Sequence, residues 1–533
     1  MNNENRNMLL ALVLMTAVWF GFSLLFPPKP PAPVSATPPV AEAPTSAGTP
    51  ATLATAPAAQ PLPATLAAPP REVVVDSDHY RAVFTSAGAR LVAFELKQYR
   101  QQADSQAPKV ALVTPGQPAQ ATLRTTASGG LALSGEAPFV VDGDLKELRV
   151  TGSGKQALTF RHVNSSGVEI VKIYEFQGDR YSIATTLSVR NAGAAPLAGT
   201  LDLTLSEPWD ESKKDSYSFS GPALLLGDEL EQLDVKDLDK GARSFGKEAI
   251  WTSLQSKYFI MAAVPLAGAA DKVTVAHEGG KLLTSLQTPL LSLQAGERRQ
   301  FDYLLFFGPK EPEQLKAAGY GLDLAINFGW FDILAQPLFH VLTFFNGYLN
   351  NYGWSIILVT VILKLLFWPL THKSYASMKA MQKLQPEMQK LRDKFKNDKE
   401  RLNRELMELY KKHSVNPLGG CMPMLVQIPV FFALYKVLLE AIALRHAPFM
   451  LWLTDLSDKD PYYITPLLMG ASMFVQQKMT PTTADPIQAK IFMFMPVIFT
   501  FLFLNFPSGL VVYWLVNNLL TIAQQYYINR RLA

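Results

Sequence analysis

The chain has 533 residues, too many for one hydrophobic core, and a hydrophobic fraction of 48% that fits a soluble or a membrane protein equally well. A net charge of +4 with no basic-aromatic pattern gives no ground for a specific nucleic-acid sequence as partner. The single cysteine, Cys421, excludes an intramolecular disulfide or a cysteine-held metal.

Asn7 to Phe26 is an almost unbroken apolar run, about the ~20 residues that cross a bilayer. Val34-Ser35-Ala36 loosely fits a signal-peptide cleavage site, but it lies deep in proline-rich sequence, and the run exceeds the ~7–15 apolar residues usual for such peptides. An uncleaved anchor over 1–26, with its N-terminus in the cytoplasm, is the expectation. Residues 27–70 are mostly Ala, Pro and Thr, which bury too little apolar surface to offset ordering entropy, so they read as an extended tether.

Residues 71–310 change character to alternating strands. Tyr181, Ile183, Thr185, Leu187 and Val189 alternate with small polar residues, Asn191-Ala192-Gly193 turns the chain, and Leu201, Leu203 and Leu205 resume the pattern. That period predicts antiparallel sheet with one buried face, hence a β-sandwich. His79, His162 and His277 are scattered, and the Trp209-Asp210-Glu211 cluster reads as an exposed loop, so the domain is expected to be a scaffold or partner-binding domain without a catalytic site.

Over 311–350, Ile333, Leu334, Leu338, Val341, Leu342, Phe345 and Leu349 follow a helical rhythm with one apolar face. Pro337 and Asn346 argue for an interfacial helix rather than a crossing. Residues 351–533 then offer five further spans near Asn351–Leu370, Met422–Ala443, Tyr462–Lys478, Ile491–Asn505 and Ser508–Ile528, the last two separated by Phe506-Pro507-Ser508-Gly509. The segment 373–415 is dense in lysine and arginine and has the pattern of two antiparallel helices, the second capped by Asp398. The tail carries Arg530 and Arg531, whereas Asp455, Asp458 and Asp460 outnumber Arg445 and Lys459 between Arg445 and Pro461. The excess of positive charge on cytoplasmic loops then places both termini inside and residues 27–350 in the periplasm. The fold class is thus a polytopic α-helical membrane protein of six spans, with an all-β periplasmic domain between the first and second.

Lys364 lies one turn after Thr360 within a predicted span. An ionisable group there is either functional or snorkels to the nearby cytoplasmic end, and position alone leaves both readings open. The last span adds a polar stripe of Tyr513, Asn517, Thr521 and Gln524; Gln427, Tyr435, Gln476 and Gln477 add polar groups on two others. Together they predict a hydrated groove, its helices loosened by Pro423, Pro429, Pro466 and Pro496. No Walker-type loop and no cofactor or metal pattern occurs. A secondary transporter would need paired membrane carboxylates or a repeat, and an intramembrane hydrolase a converging nucleophile and base; neither pattern is present, while a purely structural assembly role stays open.

Several ordered motifs add a resemblance. Asn416-Pro417-Leu418-Gly419-Gly420-Cys421 with Pro423, Gln427-Ile428-Pro429-Val430-Phe431, Asp460-Pro461-Tyr462-Tyr463-Ile464 and Met479-Thr480-Pro481-Thr482-Thr483 resemble the YidC family of membrane protein insertases. So do Phe494-Met495-Pro496-Val497-Ile498-Phe499 and Phe506-Pro507-Ser508-Gly509-Leu510. The resemblance is dense from Phe328 onward, and the anchor, tether and β-domain follow the plan of Gram-negative members. It implies an inner-membrane insertase and chaperone without enzymatic activity, acting on nascent membrane proteins in the phospholipid bilayer, alone or beside the Sec translocon. It also implies a mobile cytoplasmic hairpin, which with the basic tail would meet the ribosome. The family's groove arginine falls at Lys364, a departure that keeps the charge but loses the planar fork. Its substrate-contacting aromatic pair falls at Tyr513 and Trp514, and its apolar contacts at Ile428 and Phe431.

Overall fold

The computed structural model describes residues 65, 69–117, 120–211, 218–396, 398–413, 422–480 and 486–532. The expected N-terminal span, nearly all of the tether, and the motifs at 416–421 and 481–483 lie outside the described residues.

The alternation read from the sequence is realised as sheet. In the strand Ser182–Asn191, Ile183, Thr185, Leu187 and Val189 are buried, as are Leu201, Leu203 and Leu205 of the strand Leu201–Pro208. The turn after the first of these is locked by Asn191, whose side-chain amide donates to Ala195 O at 2.8 Å and whose Oδ1 accepts from Gly193 N at 3.0 Å. Ser182–Asn191 lies between Val168–Gln177 and Arg298–Pro309 near the middle of a nine-stranded sheet. Two five-stranded sheets pack on it. Phe84 of the first meets Tyr174 at 4.7 Å and Phe176 at 5.6 Å between ring centroids, and Thr284 of the second hydrogen-bonds Thr252. The first sheet is antiparallel except at its edge, where Glu72–Ser77 pairs parallel with Glu147–Val150. The result is a β-sandwich with one continuous core.

That core contains one cation. Lys172 pairs across the ladder with Leu187, so it shares a face with Tyr174 and is fully buried. Its ammonium donates to Ala89 O and Leu123 O of the facing layer, both at 2.9 Å, and the Tyr174 hydroxyl also donates to Ala89 O at 2.9 Å. Lysine thus gives Leu123 O a donor that an apolar residue could not, and shares Ala89 O with Tyr174.

Beyond the sandwich the chain is helical. Helix α1 (Pro312–Ala318) is followed by α2 (Asp332–Leu349), α3 (Tyr352–Leu366), α4 (Trp368–Lys383), α5 (Gln385–Lys394), α6 (Lys399–Lys412), α7 (Met422–Glu440), α8 (Ile464–Met479), α9 (Pro486–Phe503) and α10 (Ser508–Leu532). The expected interfacial helix is α2, but its contacts differ from the expected stripe. Ala335, Phe339 and Leu342 pack inward, while Ile333, Val341, Phe344 and Tyr348 remain exposed. The span expected to run to Leu370 ends earlier: α3 and α4 meet at Phe367 at an angle of 61°. Pro369 supplies the cause, since it cannot donate to the preceding turn and crowds it sterically. Among the described residues no single helix is both long and apolar enough to cross a membrane, whereas the bent pair α3–α4 is when taken together. Pro429 and Pro496 lie inside helices, but Pro466 sits in the first turn of α8, where it costs no hydrogen bond and bends nothing.

The charged hairpin forms as α5 and α6. Asp398 Oδ1 accepts from Arg401 N at 3.0 Å as the cap of α6, and the Tyr410 hydroxyl crosses to Met388 Sδ at 3.8 Å. The loop from Arg445 to Pro461 uses its carboxylates structurally. Asp460 accepts from Thr465 N and Oγ1, each at 2.7 Å, and Asp455 accepts from His446 N at 3.0 Å and Ser457 N at 2.8 Å. This stretch also binds the sandwich: Ile442 enters its core, and the Arg445 guanidinium donates to Arg100 O while lying 5.5 Å from the Phe259 ring.

The buried lysine gives a prediction. Burial, aided by the charge of Arg90, pushes the Lys172 ammonium down to about 7 from 10.5. Between those values the unfolded chain holds a proton that the folded chain lacks, so stability rises with pH across that window, and below it the cost of the buried charge is fully present. The detergent-solubilised chain should gain at least ~1 kcal/mol in the sandwich between roughly pH 7 and 9, a rise of ~2–4 °C in midpoint, relative to Lys172→Met. Thermal melts by circular dichroism at a series of pH values measure this; parallel curves for the two proteins would contradict it.

Candidate functional site: a polar cleft between helices

The helical body buries apolar side chains at its centre and leaves others outside. Ala433, Leu434, Val437, Met469, Leu510 and Val511 are buried, while α9 alone exposes Phe494, Val497, Ile498 and Phe501. Helices apolar on all sides suit a hydrocarbon surrounding. In that setting polar side chains hold helices together. Asn518 Nδ2 donates to Ser472 Oγ at 3.1 Å, and Gln525 Nε2 to Met479 O at 2.7 Å, tying α10 to α8. Small residues set the spacing. A Cβ on Gly470 would come 1.9 Å from Thr500 Oγ1, so α8 and α9 approach as they do only because that position is glycine.

One cleft among these helices collects the polar groups singled out in the sequence. It is lined by Thr360, Leu363 and Lys364 of α3, Phe367 at the bend, Thr371 of α4, Gln427 and Val430 of α7, and Tyr513 and Asn517 of α10. Thr360, Lys364, Gln427, Tyr513 and Asn517 come from three segments of sequence and meet here. Gln427 Nε2 donates to Asn517 Oδ1 at 3.3 Å across the α7–α10 contact. Thr360 Oγ1 is turned back to Ile356 O at 2.6 Å. The Lys364 side chain is half-buried and makes no hydrogen bond or ion pair among the described residues. Among the described residues no carboxylate lines the cleft, and Lys364 is the cationic side chain in its lining.

The remaining expected residues fall beside the cleft. Phe431 stacks on Tyr513 at 6.1 Å and meets Trp514 edge-on at 4.6 Å; Trp514 continues to Phe503 at 4.9 Å. Ile428 is 41% exposed on the outer side of α7. Thr521 is buried and donates to Asn517 O at 2.6 Å, away from the lining, because a threonine in a helix satisfies itself on the preceding turn. Gln476 and Gln477 do not reach the cleft, nor does Tyr435, which packs near Phe506 at 6.3 Å. The expected hydrated groove is a slit in this conformation: it encloses about 340 Å³ up to its mouth, with room for about one water. Sequence reasoning missed Leu363, Phe367, Thr371 and Val430. Thr371 stands seven residues after Lys364 and thus recurs on its face; ending the expected span at Leu370 concealed it.

Two family profiles divide the described chain between them. One, of the YidC periplasmic domain, matches residues 72–341, and the other, of the 60Kd inner membrane protein, matches residues 344–533. These define an inner-membrane protein with a periplasmic β-domain. The membrane protein insertase YidC of Geobacter sulfurreducens is 48% identical over 86% of this chain and 86% of its own length. That of Geobacter metallireducens is 45% identical over 98% of each. A crystal structure of an active YidC insertase with its first transmembrane domain resolved shares 19% identity, with a TM-score of 0.36 over 88% of this chain and 95% of that one. The chain belongs to the YidC family of membrane protein insertases, which are not enzymes.

The Gln427–Asn517 contact is testable. Asn517→Leu should cost about 1 kcal/mol, because Gln427 then lacks its partner between apolar helices, and Gln427→Leu together with Asn517→Leu should recover most of the loss. Unfolding in mixed detergent micelles measures both; additive losses would mean the two side chains act independently.

Proposed function

We propose that the cleft is the path by which short hydrophilic segments of nascent membrane proteins leave the cytoplasm while their apolar helices pass into lipid. The observation that carries this reading is the placement of Lys364 with Thr360, Gln427, Tyr513 and Asn517 around one cleft free of carboxylates among its lining residues. An ionised carboxylate at the bilayer centre costs on the order of 3 kcal/mol on insertion scales. A cation ~4 Å away returns about 4 kcal/mol at an effective dielectric near 20, so the two are of the same size. A single charge therefore suffices to make the crossing of an acidic segment tolerable, and no nucleotide is required. Phe431, Tyr513 and Trp514, with Ile428 on the outer side of α7, offer an apolar surface along which the client's helix moves into lipid.

The same reading assigns six spans. They are 1–26, the α3–α4 region, α7, α8, α9 and α10, with both termini in the cytoplasm and residues 27–350 in the periplasm. Domain limits follow: anchor 1–26, tether 27–70, β-domain 71–310, interfacial region 311–350 and insertase core 351–533. The hairpin 373–415 and the basic tail meet the ribosome, and the chain works alone or with the Sec translocon. Because the slit admits about one water, opening is part of the cycle, and the bend at Phe367 connects the cleft wall directly to the hairpin.

Lys364→Ala should lower insertion of a small two-span protein with an acidic translocated segment by at least about fivefold, while Lys364→Arg keeps it within about twofold. Protease protection in liposomes containing the purified chain measures this. Equal protection by wild-type and empty liposomes would refute autonomous insertion and favour a purely assembly role; full activity of the alanine variant would remove the groove charge from the mechanism.

A further inference from the structure

A second cavity lies where the sandwich meets the helices. It holds about 600 Å³, within the usual ~300–1,000 Å³ of small-molecule sites, and is walled by the end of the last strand, α1, α2 and the last turn of α7. Its lining carries both signs of charge: Lys257, Lys310, Lys316 and Lys436 against Glu311, Glu313 and Glu440. Part of this set is already paired. Lys436 Nζ lies 2.8 Å from Glu440 Oε1, and the Tyr99 hydroxyl donates to Glu311. Lys310 is different. It follows directly on the strand Arg298–Pro309, and its ammonium makes no hydrogen bond or ion pair among the described residues. Burial pushes it down to about 8, and Glu440, whose negative charge works against that shift, makes no direct contact with it.

The apolar side of the cavity is furnished by Phe328 and Phe339. Phe339 belongs to α2, which also contributes His340 and Thr343 to the wall. The exposed side of α2 carries Val341, Phe344 and Tyr348. One helix therefore gives a polar wall to the cavity and an apolar surface beside it, which is the division a two-part amphiphile requires.

We propose that this cavity binds the head of a phospholipid bearing both a phosphate and an ammonium, the phosphate on Lys310 and the ammonium on Glu311 and Glu313, with its acyl chains along the outer face of α2. This rests on the reading that α2 lies at the bilayer surface. A phosphate gives Lys310 its missing partner, and an ammonium uses carboxylate oxygens that the Tyr99 contact leaves open. A free phosphate ester shares the first half of that chemistry but has no use for the apolar face. A bound lipid would join the sandwich, α2 and α7 through one ligand at the site where the two parts of the chain meet.

The test reconstitutes the purified full chain in phosphatidylglycerol vesicles doped with phosphatidylethanolamine that carries a diazirine in its head, and maps cross-links by mass spectrometry. Label is expected at residues 310–343 and 436–443. It should fall at least about fivefold both in Lys310→Gln, which removes the charge, and in Thr343→Trp, which fills the cavity and leaves every charge in place. Unchanged labelling in both variants, or equal labelling by a phosphatidylglycerol probe, would overturn the proposal. Displacement of the label by millimolar inorganic phosphate would overturn it in favour of a free phosphate ester. An acyl-chain diazirine probe run in parallel separates this inference from the topology. If it labels α2 while the head probe leaves the cavity unlabelled, only the lipid site falls; if neither labels α2, the placement of that helix at the bilayer falls with it.

Discussion

Hydrocarbon offers a polar group no hydrogen-bond partner, and the helical body is organised around where its few polar side chains can stand. Most are used as ties. Asn518, Ser472 and Gln525 bind α10 to α8, and Thr360, Thr500 and Thr521 return their hydroxyls to their own helices. Lys364 has neither solution among the described residues. It stands instead in the cleft, and the bend at Phe367 leads the chain from that cleft toward the charged hairpin.

The β-domain solves the opposite problem with the same residue type. In the sandwich, water is excluded by close packing, and Lys172 is held by Leu123 O and by Ala89 O, which it shares with the Tyr174 hydroxyl. There the cation is a structural group, with two of its three N–H donors held by carbonyls. A lysine buried with two bonds made and a lysine half-buried without them are the same side chain in different settings. The distinction lies in what surrounds the ammonium.

The two parts of the chain are not merely strung together. Ile442 belongs to the sandwich core although it follows α7, and Arg445 reaches Arg100 O and the Phe259 ring. The loop that carries them is anchored in turn by Asp455 and Asp460 and by Ser508 at the start of α10, whose hydroxyl donates to Asp455 O at 2.8 Å. Charges that the sequence offers as markers of topology thus also fix the loop that joins the sandwich to the helices.

Local pattern was enough for the elements whose environment is uniform. The period of two from Tyr181 to Val189, the Asp398 cap and the Pro507-Ser508 break were legible because each depends on neighbours in sequence. The family resemblance from Phe328 onward likewise rests on short ordered motifs and owes nothing to packing. The cleft was half legible: residue type marked Lys364, Gln427, Tyr513 and Asn517 as misplaced in apolar helices, but not which of them meet. Thr521 and Gln476 carried the same signal and point elsewhere, since helical spacing gives a face and not the neighbour opposite it. The angle at Phe367, the inward turn of Phe339 rather than Ile333, and the entry of Ile442 into the sandwich were decided only by tertiary packing. Sequence alone determines what each segment would rather touch; the structure decides which contacts can be made at once, because every buried surface must find a partner within one closed volume.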